Sequence, residues 1–271
     1  MVPAEPIRKK VGLALSGGAA RGLAHIGVLS VLRQEGIPID MIAGTSAGAV
    51  FGAIYASNLD AGLLKKQALE LNWRNLTVLD PSFFKSGLIK GRRMTNMFAS
   101  YLGENIQFSD LKIPFACAAT DIDTGEAVVI DRGPVPEALR ASISLPGIFT
   151  VVKLEGRRLA DGGLTTPVPV SLARRLGADF VIAVNVMPTA AGRSGMIKTY
   201  KEPGIVQVML QSLFITTYSL ALSNVKDADI VIEPDTIDIG PVDFKKVKEI
   251  IRRGEQAAYS AIPGIKSLLS C

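Results

Sequence analysis

Ser46 stands in the run Ala43-Gly44-Thr45-Ser46-Ala47-Gly48-Ala49, just after a short apolar stretch from Met41 to Ala43. A serine hydroxyl becomes a nucleophile when something holds it exposed and something else takes its proton. A sharp turn from strand into helix does the first, and it demands small neighbours at minus two and plus two so that the chains can pass. Gly44 and Gly48 fill those two places. The hydroxyl would then stand at the carboxyl end of a strand, with the N-terminus of a helix over residues 47 to 56 favouring negative charge beneath it. In a chain with 26 glycines a G-x-S-x-G run also arises by chance, so residues elsewhere must decide.

A second candidate precedes it. Lys10 to Leu15 reads as a buried parallel strand that ends in Ser16-Gly17-Gly18-Ala19-Ala20-Arg21-Gly22. Leu23 to Gln34 then carries apolar residues at Leu23, Ile26, Leu29 and Leu32, the spacing of one helix face. A glycine-rich turn at a helix N-terminus binds anions, and the letters choose among the uses. A nucleotide phosphate loop needs lysine after its last glycine, but Gly22 is followed by Leu23. The dinucleotide pattern also fails, because Gly17 and Gly18 are adjacent and position 19 is alanine. Two readings remain, backbone amides aimed at a developing oxyanion or a plain strand-to-helix turn.

The proton acceptor is found by elimination. His25 is the only histidine, and a Ser-His-Asp hydrolase of the G-x-S-x-G kind has its histidine after the serine and the acid. His25 aligns with Leu29 and Leu32 on the first helix, as a partly buried helix residue would. A carboxylate in a dry pocket can take the proton instead. Asp161 follows strand-like residues 157 to 160 and precedes Gly162 and Gly163, which let other backbone come close. A Ser46 and Asp161 dyad results.

With these residues in view, the chain resembles the patatin-like phospholipases, lipid acyl hydrolases that use a Ser-Asp dyad. The resemblance rests on Gly17 to Gly22, on Gly44 to Gly48, on Ala141-Ser142 to Pro146, and on Asp161-Gly162-Gly163, in family order across most of residues 11 to 187. It implies that Ser46 is the nucleophile, Asp161 the general base, and the amides around Gly17, Gly18 and Ala19 the oxyanion hole, with Arg21 near it. Gly44, Gly48, Gly162 and Gly163 support them. It also implies a phospholipid or other lipid ester as substrate, without cofactor or metal. The chain departs from the family pattern twice. Alanine 19 stands where a third glycine is frequent, and Thr166 where asparagine is usual. Ala19 can still donate its amide with ordinary backbone angles, whereas Thr166 bears on how the base loop is braced.

The elements that must position these groups alternate along the chain. Residues 11 to 56 read as strand, helix, strand, helix, so the two strands pair in parallel and bring the glycine turn and Ser46 to one sheet edge. The expected fold is α/β, a three-layer α/β/α sandwich with a mostly parallel central sheet, as in the patatin-like proteins. A tail over residues 1 to 10 would precede one catalytic domain over residues 11 to 271. Residues 60 to 102 are less regular. There Phe83, Phe84, Met94, Met97 and Phe98 alternate with Lys85, Lys90, Arg92 and Arg93, which suits either a lipid contact or an amphipathic helix from Arg92 to Tyr101.

Further along, Ile113 to Ala119 and Ala127 to Ile130 read as strands around a turn in which Asp121 and Asp123 serve as turn groups rather than metal ligands. Val135 to Ala141 and Pro167 to Leu176 read as helices, Phe180 to Val186 and Ile230 to Ile232 as strands, and Met187 to Pro203 as a loop. Ile205 to Leu222 is apolar but interrupted by Gln207, Gln211, Ser212, Thr216 and Thr217, so a buried or amphipathic helix is expected rather than a membrane span. Asp243 is placed to cap a helix from Phe244, with Lys245, Lys248 and Arg252 on one face.

Composition bounds the rest. The two cysteines, Cys117 and Cys271, make neither a disulfide framework nor a metal cluster, and the apolar run from Val11 to Leu15 is too short for an export signal. A cytoplasmic setting is expected. A net charge of +5 permits peripheral attraction to anionic membrane on its inner face and does not call for nucleic acid. Oligomeric state is not written in these letters. Two other readings stay open, a catalytically silent lipid-binding or regulatory protein on this fold and an acyltransferase.

Overall fold

The computed structural model describes residues 8–70, 87–187 and 205–270. Its centre is a sheet in which β1 (Val11–Leu15), β2 (Met41–Thr45), β4 (Phe115–Asp121), β9 (Phe180–Val184) and β10 (Ile230–Ile232) run parallel in the order β10-β9-β1-β2-β4. Each strand is short, continuous and apolar, as expected of strands covered on both faces. Alternation then divides the core in two. Leu13, Leu15, Ile42, Phe115, Phe180 and Ile182 face one side, and Ala14, Ala43, Ala118 and Ala183 face the other.

The bulky side is covered by α1 (Ala24–Gln34), α2 (Ala47–Asn58), α3 (Ala61–Glu70) and the long C-terminal helix α8 (Val247–Leu269). α1 and α8 cross closely, since Cβ atoms built at Gly27 and Gly254 would lie 2.1 Å and 2.0 Å from backbone of the opposite helix. On the alanine side, α6 (Val170–Arg175) lies against the sheet through Val170, Leu172 and Ala173, joined by Ala221 of α7 (Ile205–Asn224). The three layers of the expected sandwich are therefore present, with small side chains on one face admitting a helix at short range.

Two strands run antiparallel to this frame, β5 (Ala127–Ile130) and β8 (Arg157–Asp161), and β7 (Val152–Leu154), antiparallel to β8, returns to its direction, so the sheet is mixed beyond β4. Ala118 pairs with Thr45 and Val129, whereas Ala119 pairs with Asp161 and Val128. One residue has one partner on each side, so β2 and β8 occupy the same edge of β4, opposite β5, and meet with their carboxyl ends facing each other. A separate parallel pair joins β3 (Gly87–Ile89) to β6 (Gly147–Phe149).

Several expectations meet the structure directly. α4 (Arg92–Leu102) is the amphipathic helix that the spacing allows. α5 (Val135–Ser142) runs one residue past its expected end, and β9 stops at Val184 because the Val186 amide leaves the ladder to donate to Ser16 Oγ at 3.0 Å. Asp243 does precede the helical turn, but it does not cap it. Its carboxylate accepts the Gly240 N–H at 2.7 Å instead. Phe83, Phe84, Lys85 and most of the expected loop from Met187 to Pro203 lie outside the described residues. No helix among the described residues is long and apolar enough to cross a membrane.

Candidate active site

Ser46 sits between β2 and α2 at φ 52° and ψ −120°, a region that costs a non-glycine residue on the order of 1–3 kcal/mol. The surrounding sequence explains how the fold tolerates it. A Cβ at Gly44 would fall 2.4 Å from Ala49 Cα, and one at Gly48 would fall 2.3 Å from Leu15 O. Only hydrogen fits at either place, and α2 can therefore start directly beneath the serine.

The Ser46 hydroxyl donates to Asp161 Oδ2 at 2.8 Å. Asp161 ends β8, and the meeting of β2 and β8 on β4 is what brings the two together. Its other oxygen accepts the Gly163 N–H at 2.7 Å, and Gly162 passes so close to Ala118 that a Cβ there would lie 2.3 Å from Ala118 O. Asp161 is 5% exposed, and burial pushes its carboxyl up to about 6 against the opposing effect of the Gly163 and Ser46 hydrogen bonds. Such a group is charged at neutral pH and still basic enough to accept a proton.

The stretch from Ser142 to Pro146 joins the two. Ser142, fully buried, accepts the Ser46 N–H through Oγ at 2.9 Å, and Ser144 O accepts the Asp161 N–H at 2.9 Å. Ser144 Oγ is itself held by the buried Arg140, which also donates to Lys90 O and lies over the Phe149 ring. Neither serine stood out by residue type alone. A buried short hydroxyl at a helix end is a weak signal until the register is known.

The glycine turn narrows under inspection. The Gly17 amide donates to Pro167 O at 3.0 Å, so it is already engaged, and the Ala20 amide donates to Pro241 O at 3.1 Å. Those of Gly18 and Ala19 have no partner among the described residues, and both residues line the cavity beside Ser46. The backbone angles of Ala19 are not ordinary: it lies at φ 51°, in the left-handed region that favours glycine. Arg21 is 5% exposed and donates through Nε to Ile239 O at 2.7 Å, so its guanidinium clamps the 239–241 segment onto the turn. Thr166 braces the base loop with its main chain, its carbonyl accepting from Thr45 Oγ1 at 2.7 Å and its amide donating to Gly162 O at 2.8 Å. An asparagine side chain is not needed for either bond.

His25 is wholly buried rather than partly so, with Nε2 2.9 Å from Ser16 O. Burial pushes its pKa down to about 4, which keeps it neutral. Its partner is the turn that carries the free amides, and Ser46 turns to Asp161 instead.

Ser46, Asp161, Gly18 and Ala19 open into a cavity of about 420 Å³. One wall is the face of α2 formed by Ala47, Val50, Phe51 and Ile54. Met94, Met97, Phe98 and Tyr101 of α4 form another, so the apolar side of that helix turns inward to the cavity rather than outward to lipid. Lys90, Arg92 and Arg93 remain on the exposed side. The described lining of the cavity is almost wholly hydrocarbon apart from Ser46, Asp161, the glycine turn, Gln67 and Thr217.

The family model for patatin-like phospholipases matches residues 13–174. An uncharacterized NTE family protein of Mycobacterium tuberculosis is 39% identical over 215 residues, covering 78% of this chain and 57% of that protein. The lysophospholipase NTE1 of Pyricularia oryzae is 30% identical over 271 residues, covering 91% of this chain and 18% of that protein. This chain thus spans little more than half the length of the mycobacterial relative. Among solved structures, VipD of Legionella pneumophila shares the fold with a TM-score of 0.64 at 12% identity, over 96% of this chain and 67% of that one.

Proposed function

This chain belongs to the patatin-like phospholipase family, and on that premise we propose that it hydrolyses carboxylic esters of lipids through Ser46 and Asp161. The observation that carries the reading is the 2.8 Å hydrogen bond from the Ser46 hydroxyl to a buried carboxylate at the end of an apolar cavity. Asp161 accepts the hydroxyl proton as Ser46 Oγ attacks the ester carbonyl, and the carbonyl oxygen takes the negative charge. The amides of Gly18 and Ala19 stabilise that oxygen, each worth on the order of 3 kcal/mol in the transition state. The alcohol leaves with the proton that Asp161 returns, giving an acyl-serine. Water then attacks the acyl-serine, its proton passing to Asp161, which returns it to the departing Ser46 Oγ as the free fatty acid is released.

The apolar walls hold the acyl chain and keep water scarce around Asp161, which is what raises its basicity. Substrate binding and base tuning are thus two effects of one hydrophobic lining. A fluorophosphonate probe tests the reading directly. It should label Ser46, located by mass mapping, and Ser46→Ala should abolish both labelling and the hydrolysis of p-nitrophenyl esters. An unlabelled Ser46 in folded protein would favour the silent lipid-binding alternative.

A further inference from the structure

α7 carries no charged residue in its twenty positions. A helix that is apolar or uncharged all round is ordinarily covered on every side, yet the described side chains of this one are covered on one face only. Thr217 and Ala221 are buried, and Leu213, Phe214 and Thr217 line the cavity that holds Ser46. On the outer side Val208, Ile215 and Leu222 are 45%, 54% and 43% exposed. Seven residues are close to two helical turns, so these three fall in one stripe, with the exposed Ser212 and Ser219 between them.

A second feature lies on the same cavity. Val242 lines it and is nonetheless 78% exposed, so it marks the mouth. Phe244 beside it also lines the cavity, and Lys245, Lys248 and Arg252 follow as exposed cations at a helical spacing. An exposed valine and a phenylalanine at a cavity mouth, followed by cations, match the two layers of an anionic membrane surface, hydrocarbon and phosphate.

We propose that the outer face of α7 and the Val242 rim form the surface by which this protein docks on an anionic phospholipid bilayer, passing lipid from the leaflet into the cavity. The surface deepens the lipid-hydrolase reading and rests on it for its purpose, although docking itself needs no catalysis. A bilayer suits the surface better than a second copy. An isologous pair places the same patch on both partners, so both sides would bring the cations beside Val242 and a net charge of +5, and a partner seated there would close the mouth. An anionic leaflet neutralises the cations and leaves the mouth open to substrate.

Flotation of the Ser46→Ala protein with phosphatidylcholine vesicles, with and without phosphatidylglycerol, reads docking apart from turnover. Binding should require phosphatidylglycerol and weaken with salt. Val208→Gln/Ile215→Gln/Leu222→Gln should weaken it about tenfold or more, as expected when three aliphatic side chains no longer enter the leaflet. Ile215→Gln alone should give a smaller loss, and glutamine keeps helix propensity. With Ser46 intact, the triple variant should hydrolyse short soluble esters at the wild-type rate while losing turnover on vesicles by the same factor as binding.

Unchanged vesicle binding by a folded triple variant would overturn the assignment. So would a solution dimer that the triple variant makes monomeric without altering vesicle binding, because a second copy would then cover α7. A chain that docks as expected but cleaves no ester would leave the surface standing and remove the hydrolase reading, so the two can fail separately.

Discussion

Ser46 Oγ and Asp161 Oδ2 lie 2.8 Å apart across 115 residues of sequence because β2 and β8 end against each other on one edge of β4. Ser46 follows a parallel strand and Asp161 ends an antiparallel one. Their side chains therefore meet at the common end of both strands with no long loop to hold either. Asp161 is fixed by its own ladder pair with Ala119, and Ser46 by that of the preceding Thr45 with Ala118.

Removing either member should stop the chemistry and leave the fold. Ser46→Ala and Asp161→Asn should each lower kcat on p-nitrophenyl esters by at least about a thousandfold, the scale on which members of a nucleophile-base unit act. Circular dichroism should show both folded. Activity above about a tenth of wild type in the asparagine variant would assign the base elsewhere.

The acid limb of the rate profile should follow Asp161. Its carboxyl is pushed up to about 6, so kcat/KM should rise with pH through that value and flatten above it. His25 is neutral with a pKa pushed down to about 4 and contributes no limb in that range. His25→Gln should keep the profile and most of the rate.

Stability should show two opposite contributions. Asp161 has a native pKa above its unfolded value near 3.9, so the native state holds the extra proton between about pH 4 and 6. Its contribution is full below pH 4 and lost as pH rises through 6. His25 has a native pKa below its unfolded value near 6.5, so its contribution is full above that value and lost as pH falls towards 4. Asp161→Asn should accordingly exceed wild type in urea unfolding at pH 8 by about 1–3 kcal/mol, and the difference should vanish by pH 4. A constant difference across that range would mean that the carboxyl is not buried in its charged form.

Ala19 offers a gain without loss. It occupies the left-handed region at φ 51°, where a side chain costs roughly 1–2 kcal/mol and glycine nothing. Ala19→Gly should raise the unfolding free energy by about 1 kcal/mol while leaving kcat within about twofold of wild type. Lower stability in this variant would contradict the backbone assigned to the turn.

Much of this site could be read from letters because its requirements are local. Small residues two positions either side of Ser46, glycines after a strand and after Asp161, and the lack of a second histidine all appear within short windows. The parallel core was equally plain, since continuous apolar strands separated by helices leave few alternatives. What escaped depends on register between distant segments. Ser142 under the Ser46 amide, Thr166 O over Thr45 and Ile239 O on Arg21 are contacts that no spacing rule announces. The same holds for the Gly17 amide, which is taken by Pro167 O and not left for an oxyanion. α4 shows the limit of composition in another way, because an apolar stripe rimmed by cations has the same letters whether it faces a bilayer or, as here, an internal cavity.

The head-to-head arrangement of β2 and β8 bears on how the protein comes into being. During synthesis the serine leaves the ribosome far ahead of the aspartate, and the strand bearing the aspartate pairs, among the described residues, with β4 and β7, themselves made after the serine. Until β8 has joined β4, Ser46 has no Asp161 beside it, so on the proposed chemistry the pairing of the later strands is the step that completes the dyad.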